Sequence, residues 1–213
     1  MAHDGSDDAW QLKGSAARLW QMIESRTRPG ADVAAIDARI WDLFGEEMAV
    51  MFTDLTGFSR RVAAFGIIHF LQEIFEQRRL LFPVIERHDG ILLKQEADSF
   101  LIIFKRPKAA LEAAIEMQHA CQQFNKRRVP EDQVLLCVGI GYGKVLRVGD
   151  EDVYGQEVNA ASKLGEDTAK ANEILVTDGA RQALGEMKGV NFVDLGAIAP
   201  GSVRDWRVEY PQK

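Results

Sequence analysis

An aspartate that closes an apolar run is the first residue here whose placement asks for chemistry. In "MAVMFTDLTGFS", residues 48–59, Asp54 follows Val50, Met51 and Phe52 and precedes Thr-Gly-Phe-Ser. A carboxylate at the end of a buried strand loses hydration, so a cation must compensate or its pKa rises and it neutralises. The candidate to share that cation is Asp98 in "KQEADSFLIIF", a tight turn between two apolar runs. In a β-α-β-β unit the end of the first strand lies near that turn. Two carboxylates brought together repel, and a divalent ion between them removes the repulsion. Hard oxygen ligands suit Mg²⁺, with phosphate oxygens completing its shell. "LTGFS" also places Gly57 where strand turns into helix, so main-chain N–H groups of Thr56, Gly57 and Phe58 can cradle a phosphate.

These residues need a scaffold, and the pattern of the chain supplies one. Apolar residues at helical spacing over 8–27 and 31–44, separated by "RPG", predict two amphipathic helices ahead of the main domain. Trp10, Trp20 and Trp41 fall in them, which suggests packing against the main domain or another subunit. From residue 48 the order reads as strand, helix over about 59–87 with a break near Gly66, then two short strands flanking "EAD". A long helix opens at Pro107, followed by the extended glycine-containing segment "QVLLCVGIGYGKVLRVG". "EVNAASKLGEDTAK" reads as a short helix, "EILVT" as a strand, "DGARQALGE" as a helix, and two weak strands finish the chain. The order β-α-β-β-α-β is that of a ferredoxin-like unit, giving an α+β fold with appended C-terminal elements.

Composition narrows the function classes. The chain has 213 residues, 46% hydrophobic and 27% charged, as expected of an ordinary globular protein. A net charge of −6 argues against a duplex nucleic-acid binder. It leaves small anionic ligands open, because a local site can be cationic inside an acidic protein. Cys121 and Cys137 read as buried free thiols, since no spacing resembles a zinc site. The acidic N-terminus has no apolar signal region, and no run approaches the roughly 20 residues needed to span a bilayer. A cytoplasmic location is therefore expected. His69, His88, His119 and the "KRR" at 126–128 read as packing or solvated groups. The glycines of "GIGYGKV" open no helix, so they do not read as a dinucleotide fingerprint.

Taken in order, "FTDLTGFS", "KQEADSFLIIF" and "DVYGQEVNAASKL" resemble the catalytic domain of class III nucleotide cyclases. The resemblance covers residues 46–213 as a catalytic domain and leaves 1–45 as a helical extension. It implies that Asp54 and Asp98, with Leu55, hold two Mg²⁺ or Mn²⁺ ions against the triphosphate. It places Lys94 and Asp152 at the base-reading positions. Lysine is a donor and aspartate an acceptor, which complements adenine N1 and N6 and mismatches the guanine edge. It gives Asn159 and Lys163 the roles of the family's Asn and Arg, which orient the ribose and stabilise the transition state. The implied activity is a phosphorus–oxygen lyase, converting ATP to 3′,5′-cyclic AMP and pyrophosphate. Because one chain carries both half-sites, a homodimer with shared active sites is implied.

The chain also departs from the family pattern. Lys163 stands where arginine is usual, giving a point charge in place of a planar fork. Ala97 replaces the usual glycine, a mild change if that turn has φ below zero. The hairpin "GYGKVLRVGDEDVYG" is short, making Arg147 the candidate for the arginine that reaches the phosphates. "DLGAIAPGSVRDWRV" offers no counterpart to the C-terminal lysine that often touches them. A cyclase of another nucleotide (cyclic GMP or a cyclic pyrimidine) and a degenerate nucleotide-binding sensor domain remain the alternatives.

Overall fold

A computed structural model describes residues 14–57 and 63–211; the expectations for residues 8–13, Trp10, Phe58 and residues 59–62 lie outside them. Two helices open the described chain, α1 (Ser15–Arg26) and α2 (Val33–Phe44). Asp32 caps α2, its Oδ1 accepting from the Ala35 amide at 3.0 Å. The core follows as β1 (Gly45–Leu55), α3 (Ile67–Arg87), β2 (Ile91–Glu96), β3 (Ser99–Phe104), α4 (Pro107–Asn125) and β4 (Leu136–Val148). Then come β5 (Asp152–Tyr154), α5 (Gln156–Ser162), β6 (Ile174–Thr177), α6 (Asp178–Leu184), β7 (Asn191–Asp194) and β8 (Asp205–Glu209). Gly66, at φ 86, sets the start of α3 at the expected break.

The eight strands of the described residues form one sheet in the order β2-β3-β1-β4-β6-β8-β7, with β5 paired to the end of β4. β1 runs antiparallel to both β3 and β4, so the first four strands have the ferredoxin-like arrangement. Side chains alternate across a strand. Ala49, Met51 and Leu55 of β1 join the main core, with Leu81, Val84 and Ile85 of α3 and Leu111, Ala114 and Met117 of α4. Met48 and Val50 face the other way, into a smaller cluster with Leu101, Val145, Val153 and Val158. Burial on both faces is why "MAVMF" is an unbroken apolar run rather than an alternating one. Asp54 shares its face with Val50, on the smaller-cluster side that β5 and α5 only partly cover.

The glycines of "GIGYGKV" sit inside β4. Gly139 and Gly141 lie two apart and so face the same way, and α5 rests on them. A Cβ at Gly139 would strike the main chain of Ala161 and Gly165, and one at Gly141 the carbonyl of Glu157. The strip is a groove for a helix. Glu157 anchors α5 there, its Oε2 accepting from the Thr177 hydroxyl at 2.6 Å and the Tyr142 amide at 3.1 Å.

The N-terminal helices meet the far end of β4 through Leu19, Met22, Ile40 and Phe44, packed with Val148 and Leu146. Trp20 and Trp41 take no part and stay largely exposed, so packing against the main domain is not what these two tryptophans do. Cys121 and Cys137 are buried and free. Among the described residues no helix is long and apolar enough to cross a membrane.

Candidate active site

The register that sets Thr53 opposite Phe100 carries Asp54, at the end of β1, beside the β2–β3 turn. The Ser99 hydroxyl donates to Asp54 Oδ1 at 3.1 Å, and Asp98 is next in the chain. The Leu55 amide hydrogen-bonds the same pair of carboxylates. Leu55 points its side chain into the core, so only its main chain could serve a metal. Burial first, then the charge of Asp54, pushes the Asp98 carboxyl up to about 6. Burial also raises Asp54, with Ser99 working against it. Asp98 is only 5% exposed and its Oδ2 has no hydrogen-bond partner among the described residues. A strained carboxylate pair with an idle buried oxygen fits a divalent cation, whose charge would relieve the repulsion. Among the described residues no three His, Cys, Asp or Glu side chains could hold an ion. Two carboxylates therefore leave most of the coordination shell to phosphate oxygens and water, as hard cations at nucleotide sites usually have it.

The turn after β1 is less open than its sequence suggests. The Thr56 amide donates to the Leu135 carbonyl at 2.9 Å, and its hydroxyl meets Cys137 Sγ at 3.0 Å. That amide is spent on extending the β1–β4 pairing, which corrects the expectation that it is free to cradle a phosphate. Gly57 turns the chain at φ 88, where only glycine is comfortable.

Lys94 and Asp152 meet. A register shift between Leu92 and Lys94 interrupts β2 at this residue. The Lys94 ammonium donates to Asp152 Oδ2 at 2.6 Å, while the Val153 amide donates to Oδ1 at 2.9 Å. Burial pushes the Asp152 carboxyl up, but these hydrogen bonds overcome it and hold it below the usual range. The same contact raises Lys94. The pair lines a cavity of about 240 Å³ with Phe52, Phe100, Val158 and Glu166. Pockets enclosing a whole drug-sized ligand run to about 300–1,000 Å³. One chain thus offers a recess of base size, with an apolar floor and a donor–acceptor pair at its rim.

Asn159 and Lys163 lie on α5 and just beyond it, and neither lines that cavity. Asn159 is exposed. The Lys163 ammonium donates to Asp167 Oδ2 at 3.0 Å. The single helix expected over 157–170 is instead α5 followed by a π-helical turn, Lys163–Thr168. The Ala169 amide reaches the Leu164 carbonyl five residues back, at 2.8 Å. The cause is crowding: Gly165 lies against the Phe52 carbonyl and the Gly139 amide, so the helix widens where it passes β1 and β4. Arg147 donates to the Gly149 carbonyl at 2.9 Å and pairs with Asp150 at 2.7 Å. It also approaches Glu46 of β1, at 3.9 Å, so its contacts close the hairpin onto β1.

The Ala97 expectation also changes. Its φ is 52, in the left-handed region that non-glycine residues disfavour, so replacing the usual glycine is not mild. Three site residues had escaped the sequence reading. Ser99 was readable as the neighbour of Asp98. Glu166, which lines the cavity and whose charge acts on Asp54, and Gln77, whose amide holds the Asp98 carbonyl at 2.7 Å, gave no local signal.

The fold and site define a class, and comparison with known proteins agrees. The adenylate and guanylate cyclase catalytic domain model matches residues 44–202, and the chain belongs to that family. Members use divalent metal ions, bind nucleotides and commonly dimerise. Over 149 residues, 70% of this chain and 25% of the relative, it is 28% identical to "Putative adenylate cyclase 3" of Rhizobium meliloti (strain 1021). Over 134 residues, 62% of this chain and 16% of the relative, it is 28% identical to the serine/threonine-protein kinase pkn2 of Myxococcus xanthus. The chain thus spans a quarter or less of the curated relatives it matches. Among solved structures, an adenylate/guanylate cyclase/hydrolase from Silicibacter pomeroyi superposes with a TM-score of 0.68 at 25% identity, over 76% of this chain and 96% of that one. The adenylyl cyclase CyaB of P. aeruginosa gives 0.67 at 21% identity, over 79% and 96%.

Proposed function

We propose that this chain is an adenylate cyclase, converting ATP to 3′,5′-cyclic AMP and pyrophosphate. The observation that carries the reading is the Lys94–Asp152 pair at the rim of a base-sized cavity, 2.6 Å apart and already charged. Adenine would exchange that contact for two of its own: Lys94 donates to N1, and Asp152 accepts from the N6 amino group. Guanine would present a donor to Lys94 and an acceptor to Asp152, leaving both mismatched.

Asp54 and Asp98, with the Leu55 main chain, would hold two Mg²⁺ or Mn²⁺ ions. Bound there, they would lower the pKa of the ribose 3′-hydroxyl and neutralise charge on the departing pyrophosphate. The hydroxyl gives its proton to water and its oxygen bonds to the α-phosphorus, while the bond from that phosphorus to the bridging oxygen of pyrophosphate breaks and the pyrophosphate leaves. Asn159 orients the ribose. Lys163 leaves Asp167 to stabilise charge on the α-phosphoryl group. Gly57 lines the phosphate approach, with Thr56 contributing position rather than its amide.

Residues 46–213 form the catalytic domain and 1–45 a helical extension. Asn159 and Lys163 serve the carboxylates of a second copy in a head-to-tail homodimer with shared sites, the assembly that the family resemblance implies. Consumption of ATP and two free buried thiols suit the cytoplasm.

The test is incubation of the purified protein with each of the four nucleoside triphosphates and Mg²⁺ or Mn²⁺, with product identification. Cyclic AMP and pyrophosphate from ATP are expected. Turnover of GTP or a pyrimidine nucleotide in preference would move the base assignment. Nucleotide binding without pyrophosphate release would make the chain a sensor, the reading that the Lys163–Asp167 and Arg147–Asp150 pairs favour. Mixing Asp54→Ala and Asn159→Ala chains, each inactive alone, should restore activity at one site per heterodimer; no restoration would exclude shared sites.

A further inference from the structure

We infer that Gln77, on α3, is a positioning residue that holds the Asp98 turn in its left-handed conformation and so sets the geometry of the Asp54–Asp98 pair. The inference rests on the reading of that pair as metal-binding. Ala97, at φ 52, occupies a region that its Cβ disfavours, and something outside the turn must hold it there.

The holder is α3. Gln77 is fully buried, and its Nε2 donates to the Asp98 carbonyl at 2.7 Å. One residue on, Arg78 Nε donates to Gln95 Oε1 at 2.6 Å, and Gln95 Nε2 donates to the Ala97 carbonyl at 3.1 Å. Successive carbonyls of the turn are thus tied to successive residues of one helix, one bond buried and the other exposed. Gln77 is an awkward choice for stability alone. Its Oε1 is buried with no partner among the described residues, a penalty that Leu or Met would remove. What an apolar side chain could not do is fix the plane of the peptide linking Asp98 to Ser99. That plane aims the Asp98 carboxyl and also the Ser99 hydroxyl, which donates to Asp54 at 3.1 Å. One amide therefore orients both sides of the pair.

The experiment uses the full chain carrying Gln77→Met, Ala97→Gly, both together, Gln95→Ala, or Asp98→Asn. Mn²⁺ binding is measured by EPR in the presence of an unreactive ATP analogue, alongside turnover against Mn²⁺. Loss of a group that orients a metal ligand weakens affinity ~10–100-fold. Gln77→Met should weaken Mn²⁺ binding roughly tenfold and lower kcat at fixed Mn²⁺ equally. KM for ATP at saturating Mn²⁺ should stay put. In the A97G background the same substitution should do much less, because glycine holds the turn without help. Gln95→Ala should shift Mn²⁺ binding in the same direction, more weakly, and it keeps the inference testable if Q77M fails to fold.

Wild-type Mn²⁺ binding in Q77M, or in Q95A if Q77M does not fold, overturns the positioning role. So does an effect of Q77M that is the same with and without A97G. If D98N itself binds Mn²⁺ and turns over normally, the metal reading fails and the inference falls with it. If D98N loses both while Q77M and Q95A lose neither, only the inference fails.

Discussion

Asp98→Asn should make the metal-free protein more stable at neutral pH while abolishing turnover. In the folded chain the Asp98 carboxyl titrates at about 6, against 3.8 for an unhindered aspartate. The folded state therefore binds the proton more tightly. As pH rises from about 4 to 7 the unfolded chain gives up its proton first, and stability falls across that window. At 1.36 kcal/mol per unit the full gap corresponds to about 3 kcal/mol. Asp54 is raised as well, so the two carboxyls titrate as a unit. Solvent on the open side of the pair screens part of the repulsion, leaving about 1–2 kcal/mol. Asparagine has the shape of aspartate and no charge, so it removes this penalty and keeps the Gln77 hydrogen bond to the main chain. For a chain of this size about 2–4 °C accompanies each kcal/mol. The melting midpoint of D98N without metal should exceed the wild type by about 3–6 °C at pH 7.5 and match it at about pH 3.5. Mn²⁺ with an unreactive ATP analogue should raise the wild-type midpoint at pH 7.5 and leave D98N unmoved. A midpoint lowered by the same amount at both pH values would show that the carboxylates do not oppose one another, and the argument for a cation between them would go.

Replacing Lys94 by Glu together with Asp152 by Cys removes the donor and acceptor matched to adenine. The ratio of kcat/KM for GTP over ATP should rise at least ~10-fold, and an unchanged ratio would place base reading elsewhere. Lys163→Arg restores a planar fork, so kcat should rise roughly threefold or more with KM little changed; a fall would deny this side chain a role at the phosphate. Gly139→Ala puts a methyl group onto the main chain of Ala161 and Gly165, and the urea midpoint should report a loss of about 3 kcal/mol or more. An unmoved midpoint would mean that α5 is not seated on β4.

The elements that could be read from sequence are those whose pattern is set by their own burial. The runs 48–52 of β1 and 100–104 of β3 are unbroken apolar stretches because both faces are covered there, and α4 shows its 3.6-residue period because one face is buried and the other wet. The Asp54–Asp98 juxtaposition followed from strand order, and Lys94 with Asp152 from the resemblance. What escaped depends on a distant partner's backbone. The wide turn at Lys163 exists because Gly165 abuts Phe52 and Gly139, and nothing in "KLGEDT" announces it. The Thr56 amide is consumed because β1 and β4 pair as far as Leu55 and Leu136, leaving the Leu135 carbonyl beside it. The sign of φ at Ala97 is a property of the turn that β2 and β3 enclose. Gln77 looks like any polar residue on a helix until its neighbours are known.

Several departures from ordinary structural rules lie where the chemistry is proposed. Ala97 is left-handed, Gln77 buries an idle oxygen, Asp98 holds a carboxyl near pH 6 with Oδ2 unpartnered, and the helix widens at Lys163. Ala97 and Asp98 each have a more stable alternative, glycine and asparagine. The remainder of the sheet takes the stable choice nearly everywhere, with apolar residues filling both of its faces. Exceptions occur elsewhere too: Asp89 and Asn172 are also left-handed, and Gln118 and Arg181 also bury a polar atom with no partner among the described residues. What sets this end of β1 and β3 apart is the carboxylate pair, whose repulsion a cation against Asp54 and Asp98 would relieve. On that account the free protein holds its site in tension, and ligand binding should stabilise this edge of the sheet more than any other part of the molecule.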